Sequence, residues 1–170
     1  MSDLSNLSDP RQRDPGPIAT IPLFDMVADL NERLDFGVGP TGRRVLNGVR
    51  RGSFSGPRLQ GEVLPGGGDW ALFRRDHVMV VDARVTLRTD DGALISMAYS
   101  GRAVFPPHLT TKLADIETRH EIDPSQYYFR TTPLFETGAE EYAWLNDVVA
   151  IAKGYLVAGG GVGYQVSAVL

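Results

Sequence analysis

The sequence predicts an all-β domain, an antiparallel sandwich or barrel, and three observations carry that prediction. Residues 81–99, "VDARVTLRTDDGALISMAY", alternate at strand period: Val81, Ala83, Val85 and Leu87 against Asp82, Arg84, Thr86 and Arg88. Asp91-Gly92 then supplies a tight hairpin turn, and Ile95, Met97, Tyr99 and Gly101 alternate with Leu94, Ser96, Ala98 and Ser100 on the return. Elsewhere short apolar segments are separated by glycine, of which the chain has 19.

The elements follow in order. Residues 1–20 begin "MSDLSNLSDPRQRDPGP". They are too polar and too rich in proline to offset their ordering entropy, so a disordered tail is expected, with the domain spanning 21–170. Strands are expected at Leu23–Leu30, Gly52–Leu64, Trp70–Phe73, Tyr127–Thr132, Val148–Lys153 and Gly163–Val169, beside the hairpin. Arginine is dense in "GRRVLNGVRRG", but Gly, Leu and Val interrupt it, and a solvated basic edge is the expectation. "PPHLTTKLADIETRHEI" has Leu109, Leu113 and Ile116 at helical spacing behind two prolines, so a short helical insert is expected there. "AEEYAWLNDVV" suits one more helical turn.

Composition narrows the function. The 170 residues suit one domain with a real core. A net charge of −4 argues against nucleic acid as partner, which needs concentrated Lys and Arg. The absence of cysteine removes disulfides, thiolate nucleophiles and cysteine metal sites. His77, His108 and His120 lie on separate segments with no HxH or HExxH spacing, so no metal is expected, and the two near the insert are expected at the surface. No apolar run reaches the ~20 residues of a membrane helix and no signal-peptide layout is seen. A cytoplasmic protein with neither membrane nor nucleic-acid partner is the expectation.

The glycine run in "GEVLPGGGDWALF", residues 61–73, lacks the lysine and hydroxyl of a phosphate loop and leads into a strand-like segment. It reads as a hairpin connection near one end of the domain.

Three stretches in order, "GVRRGSFSGPRLQGEVLPGGGDW", "DARVTLRTDDGALI" and "YYFRTTPLFETGAEEYAWLN", resemble the uncharacterised DUF 3237 family, also called UPF0311. The resemblance runs from about Pro22 to Leu170. It implies a compact antiparallel β-barrel, broadly like allene oxide cyclase or the calycins, and with the residue spacing above the expectation is a single antiparallel β-barrel with a short helical insert. It supplies no reaction and no catalytic residue set. A small closed barrel has room for one small ligand in its lumen.

Four groups of residues could work in such a lumen. Glu62 with Asp69 and Trp70 could divide into a base and an acid of raised pKa, the indole desolvating its neighbour. The structural alternative has Asp69 capping the glycine turn and Glu62 paired with an arginine. Patterning around Leu59, Gly61 and Val63 puts Glu62 outside, yet a barrel whose outer face packs on its insert or a partner weakens that rule, and Glu62 is expected to face inward. Asp82 and Arg84 share one strand face, either as a lumenal ion pair or as exposed surface. Tyr128 and Arg130 share another face and suit a carbonyl or carboxylate, unless the arginine ties the sheet together. Trp144 and Asn146 in "EYAWLN" could contact substrate or serve as core and cap. Glu62, Asp82 and Tyr128 are therefore the candidate catalytic residues, and Asp69, Trp70, Arg84, Arg130, Trp144 and Asn146 the candidate substrate contacts.

The function expected is a cofactor-independent enzyme on a small, partly apolar carbonyl compound, moving protons in an isomerisation, cyclisation or hydratase/lyase reaction. A small-molecule-binding barrel without catalysis and an oligomeric scaffold are the alternatives. A homodimer is expected from the frequency of two-fold association. Carboxylates converging on an apolar cavity favour the enzyme, an all-apolar lumen the binder, and a filled lumen the scaffold.

Overall fold

The computed structural model describes residues 9–170. The expected tail falls partly outside the described residues; from residue 10 to Ile21 every residue is exposed, and the first strand begins at Thr20. Ten strands follow: β1 (Thr20–Leu30), β2 (Leu34–Gly39), β3 (Gly42–Ser55), β4 (Gln60–Asp69), β5 (Leu72–Phe73), β6 (Val78–Thr89), β7 (Leu94–Val104), β8 (Tyr128–Glu136), β9 (Ala150–Leu156) and β10 (Val162–Val169). All pairings are antiparallel, and eight strands form a ring in the order β1-β10-β9-β8-β7-β6-β4-β3, closed where β1 meets β3. β2 folds back on β3 outside this ring, and β5 bridges β3 and β6. Among the described residues no helix is long and apolar enough to cross a membrane.

Alternation places the core. In β6, Val81, Ala83, Val85 and Leu87 are buried while Asp82, Arg84 and Arg88 are exposed. In β7 the inward set Ile95, Met97 and Tyr99 stands opposite, in register with Leu87, Val85 and Ala83. The basic stretch expected as a solvated edge forms the long strand β3, with Val45 and Val49 buried, Arg43, Arg50 and Arg51 exposed and Arg44 half-buried. The strand expected over Gly52–Leu64 is two strands, with a turn at residues 56–59 between β3 and β4.

The two ends of the barrel differ. One end holds the β3–β4 and β6–β7 turns and a run of 3₁₀ helix, Glu140–Asp147, whose Tyr142 hydroxyl donates to Asp91 at 3.1 Å. Leu145 from this run is fully buried there and Phe24 packs on Phe54 and Phe135, so this end is filled. The other end carries the insert between β7 and β8, which contains helix α1 (Thr110–Ala114) flanked by 3₁₀ turns, and the β9–β10 loop. There the lumen is open.

"LPGGGD" lies inside β4, not between strands. From Leu64 to Gly68 β4 advances four residues while its partner β6 runs only from Thr86 to Arg84, a bulge with two extra residues. Gly66 takes φ +102°, and a Cβ on Gly67 would sit 2.4 Å from the Arg84 carbonyl oxygen, so both positions need glycine. An even number of extra residues keeps the alternation in phase, and Asp69 emerges opposite the inward Ala83. We expect Gly66→Ala, which meets no neighbouring atom, to cost about 1–2 kcal/mol through its backbone angle alone. Urea unfolding checks this; unchanged stability would mean the bulge rearranges freely.

Candidate functional site

A cavity of about 220 Å³ occupies the open end. Its walls are chiefly apolar, with Val49, Met79, Phe105, Phe129, Leu156 and Val162 from six strands or their ends and Leu113 from α1 above. Five polar side chains interrupt this lining: Asp69, Asn47, Tyr99, Tyr164 and, at the rim, Arg33, with Arg119 of the insert as a sixth.

Asp69 is the centre of the polar set. Its Oδ1 accepts the backbone N–H of Asp82 at 2.9 Å, and Asn47, its partner across β3 and β4, hydrogen-bonds to it. Arg33 Nε donates to Asn47 Oδ1 at 3.1 Å, so the asparagine amide is oriented from behind with its N–H groups toward the carboxylate. Burial nonetheless dominates and pushes the Asp69 carboxyl up to about 6. The negative charge of the nearby Asp82 adds to this, while Arg33 opposes it.

Tyr99 and Tyr164 are both buried, with ring centroids 5.4 Å apart in an edge-to-face arrangement. Loss of hydration raises both phenols well above their ordinary value, and the charge of Asp69 raises them further. Both therefore stay protonated as hydrogen-bond donors across the physiological range.

The raised Asp69 pKa is a stability statement. A carboxyl whose folded value lies above its unfolded value costs stability when ionised; the cost is absent well below pH 3.8 and complete above about 6. The stability difference between wild type and Asp69→Asn should therefore shift by about 2 kcal/mol against wild type between about pH 4.5 and about pH 7.5. Paired urea melts measure it, other titrating groups cancelling in the difference; a constant difference would mean that Asp69 titrates normally.

Most of the candidate residues lie elsewhere. Glu62 is on the outer face, paired with Arg88 of the neighbouring strand, so the expectation that it points inward is corrected. The apolar set Leu59 and Val63 takes the interior, as simple patterning requires. Asp82 and Arg84 do share a face, and it is the outer one, because the alternate residues are apolar and fill the barrel. Asp82 still touches the site through its backbone N–H. Trp70 lies outside, stacked on Phe36 of β2 at 5.6 Å. Tyr128 and Arg130 also share an outer face, the guanidinium 5.2 Å from the ring and bonded to the Phe129 carbonyl, because Tyr127, Phe129 and Thr131 turn inward.

Trp144 and Asn146 sit at the filled end. Arg58 covers the Trp144 ring at 3.6 Å, and Asn146 bonds both the N–H and the C=O of Thr137. His77 and His108 are exposed, whereas His120 is half-buried in the insert with its Nδ1 unpartnered, which corrects its expected surface position. Of the expected residues, then, Asp69 alone places its side chain in the cavity. Asn47, Tyr99 and Tyr164 were not singled out, yet each is a polar side chain within an otherwise apolar inward set, such as Val45-x-Asn47-x-Val49, and that pattern is readable in sequence.

Fold and site together define a closed antiparallel β-barrel with a ligand-sized cavity at one end. The match to the family model "Protein of unknown function (DUF3237)" covers residues 18–169, and the chain belongs to this family. A UPF0311 protein of Clostridium acetobutylicum is 38% identical over 110 residues, 65% of this chain and 68% of that one. A UPF0311 protein of Rhodopseudomonas palustris is 33% identical over 131 residues, 77% of this chain and 84% of the relative.

Among solved structures, a β-barrel-like protein of Acinetobacter baumannii superposes with a TM-score of 0.79 at 32% identity, covering 94% of this chain and all (100%) of that one. A conserved protein of unknown function from R. palustris gives 0.82 at 28%, covering 91% and 99%. A protein of Penicillium herquei described as an enzyme shares the fold at a TM-score of 0.64 and 21% identity, covering 91% and 98%.

Proposed function

We propose that this barrel is a cofactor-independent enzyme that moves protons on a small, partly apolar carbonyl compound held in its open end. One observation carries the proposal: a carboxylate with a pKa near 6 faces an apolar cavity that two protonated phenols share. In this reading Asp69 is the base. It takes a proton from the carbon next to the substrate carbonyl, and a phenol of the Tyr99–Tyr164 pair donates a hydrogen bond to the enolate oxygen that develops. Return of the proton to another carbon completes an isomerisation. Expulsion of a β-hydroxyl, protonated as water, would make the step a dehydration. In reverse, addition of an internal hydroxyl to the β-carbon of an enone, its proton passing through Asp69 to the α-carbon, would be a cyclisation. A purely binding barrel has no use for a desolvated carboxylate, whose burial costs stability at neutral pH. The filled lower half of the lumen serves as scaffold, and the hollow upper half is what the scaffold reading leaves without a role.

The test is proton exchange. Aryl alkyl ketones, β-diketones and enones of suitable size are incubated with the protein in D₂O and followed by proton NMR. At least one should lose its α-proton signal faster than in buffer. The rate should rise with pH through about 6 and then level off, because the ionised carboxylate is the active form. Failure of every compound to exchange, or a rate that is flat between about pH 5 and about pH 7.5, would sink the proposal.

A further inference from the structure

Two arginines line the cavity at its entrance, and among the described residues neither is held in an ion pair. Arg33, from the turn between β1 and β2, spends its Nε on Asn47 and sets its guanidinium 5.9 Å from the Phe73 ring. Arg119, from the insert between β7 and β8, bonds the Gly160 carbonyl through Nη2 at 2.8 Å. Its Nε is buried and has no partner. Among the described residues, no carboxylate forms a salt bridge with either guanidinium.

Burial lowers the Arg119 pKa, and the charge of Arg33 lowers it further. Holding two like charges at the rim of an apolar cavity, one with a buried unpartnered donor, is unfavourable. Of the other arginines some pair with acids, as in Arg43–Asp35, Arg51–Asp29 and Arg88–Glu62, and others, such as Arg44, Arg102 and Arg130, bond backbone carbonyls on the outer surface; Arg33 and Arg119 differ in lining a cavity. Asp69, the acid inside the cavity, is bonded to Asn47 and to the Asp82 backbone, not to either arginine.

The pattern is that of a site awaiting an anion. Guanidinium groups fork onto carboxylates, and such charge-assisted bonds are strongest where water is thinned by apolar walls. The floor of the cavity is aromatic and aliphatic, so the rest of the ligand is apolar.

We infer that the ligand of this cavity is a monocarboxylate with an apolar body, its carboxylate held between Arg33 and Arg119 at the rim and its body among Phe129, Met79 and Val49 below. This inference rests on the proton-transfer reading only for the claim that the ligand is also a substrate, and it makes that substrate an oxo- or enoic acid. The carboxylate then anchors the molecule at one end while Asp69 and the phenols address its interior.

The experiment compares 3-phenylpropanoate with its isosteric neutral amide by titration calorimetry at neutral pH. Wild type should bind the carboxylate at least about tenfold more tightly than the amide, as expected when one charge-assisted pair is added. Arg119→Gln and Arg33→Gln should each erase most of that preference while leaving amide binding in place. Should Arg119→Gln fail to fold for want of its Gly160 bond, Arg119→Lys keeps the charge and loses the fork, and Arg33→Gln stands alone. Asp69→Asn, which removes the only acid among the described residues lining the cavity, should leave the carboxylate preference intact or enlarge it.

Equal affinity for acid and amide in wild type overturns the inference and leaves proton transfer by Asp69 standing. A preference that survives both arginine substitutions overturns it as well. If neither compound binds, the inference is overturned, and proton exchange on the ketones decides the proton-transfer reading by itself.

Discussion

Asp69→Asn is expected to lower enzyme-catalysed α-proton exchange by about 10²–10⁴-fold with the barrel intact. The magnitude is that of removing a positioned general base while leaving the binding walls and the oxyanion donors in place. Asparagine keeps the oxygen that accepts the Asp82 N–H, so the local backbone has no reason to move. Glu62→Gln is the matched control. Glu62 is the other acid flanking the glycine run, but it lies outside against Arg88, and its replacement should leave the rate unchanged. Exchange that survives Asp69→Asn and collapses with Glu62→Gln would reverse the assignment. Circular dichroism and unfolding midpoints of both variants separate lost chemistry from lost structure.

Leu145→Ala should have the largest effect on stability, about 2–5 kcal/mol. Leu145 is fully buried where the 3₁₀ run Glu140–Asp147 closes the filled end. Alanine removes several buried carbons and leaves a hole that a ring of paired strands cannot collapse to fill. A drop in the urea midpoint at unchanged slope is the expected result. A loss below about 1 kcal/mol would mean that the run packs loosely and is not a plug. Proton exchange by the folded fraction should be unaffected, because Asp69 lies at the opposite end.

The barrel was legible because its signals are local. The 81–99 hairpin, the helical insert and the short helical run near Trp144 each follow from periodicity and turn residues, and each is present. β2 and the first half of β3 were missed: β2, "LDFGVG", is short, carries two glycines and leaves its alternate apolar residues Leu34, Phe36 and Val38 exposed, and in β3 adjacent arginines interrupt the alternation. The glycine bulge was read as a connection for a related reason: consecutive glycines break a side-chain pattern whether the chain turns or only thickens.

The site was less legible, and the reason is physical. Conspicuous polar residues such as Asp82, Arg84, Tyr128 and Arg130 alternate with a better apolar set, and the interior takes that set. The residues that reach the cavity are the inconspicuous exceptions within it, Asn47, Tyr99 and Tyr164. Asp69 was within reach only because its neighbours drew attention to the glycine run. Where a strand carries one polar residue on its buried face, the exception outweighs the charged residues on the other.

The difference between the two ends has a consequence for how this protein can change over time. A filled end and an open, cavity-bearing end mean that the exposed positions of the insert over residues 107–126 and of the β9–β10 loop can be rewritten with little risk to folding, provided the buried Leu109 and Ile122 are kept. Neither segment contributes to the ring of paired strands, and each carries part of the cavity wall. Ligand preference is thus free to drift among descendants that keep the same body, and two relatives of this shape need not share a substrate. For a protein engineer the same separation marks out a cassette: vary the exposed positions of the insert, retain Leu109, Ile122, Asp69 and Asn47, and select for a new molecule.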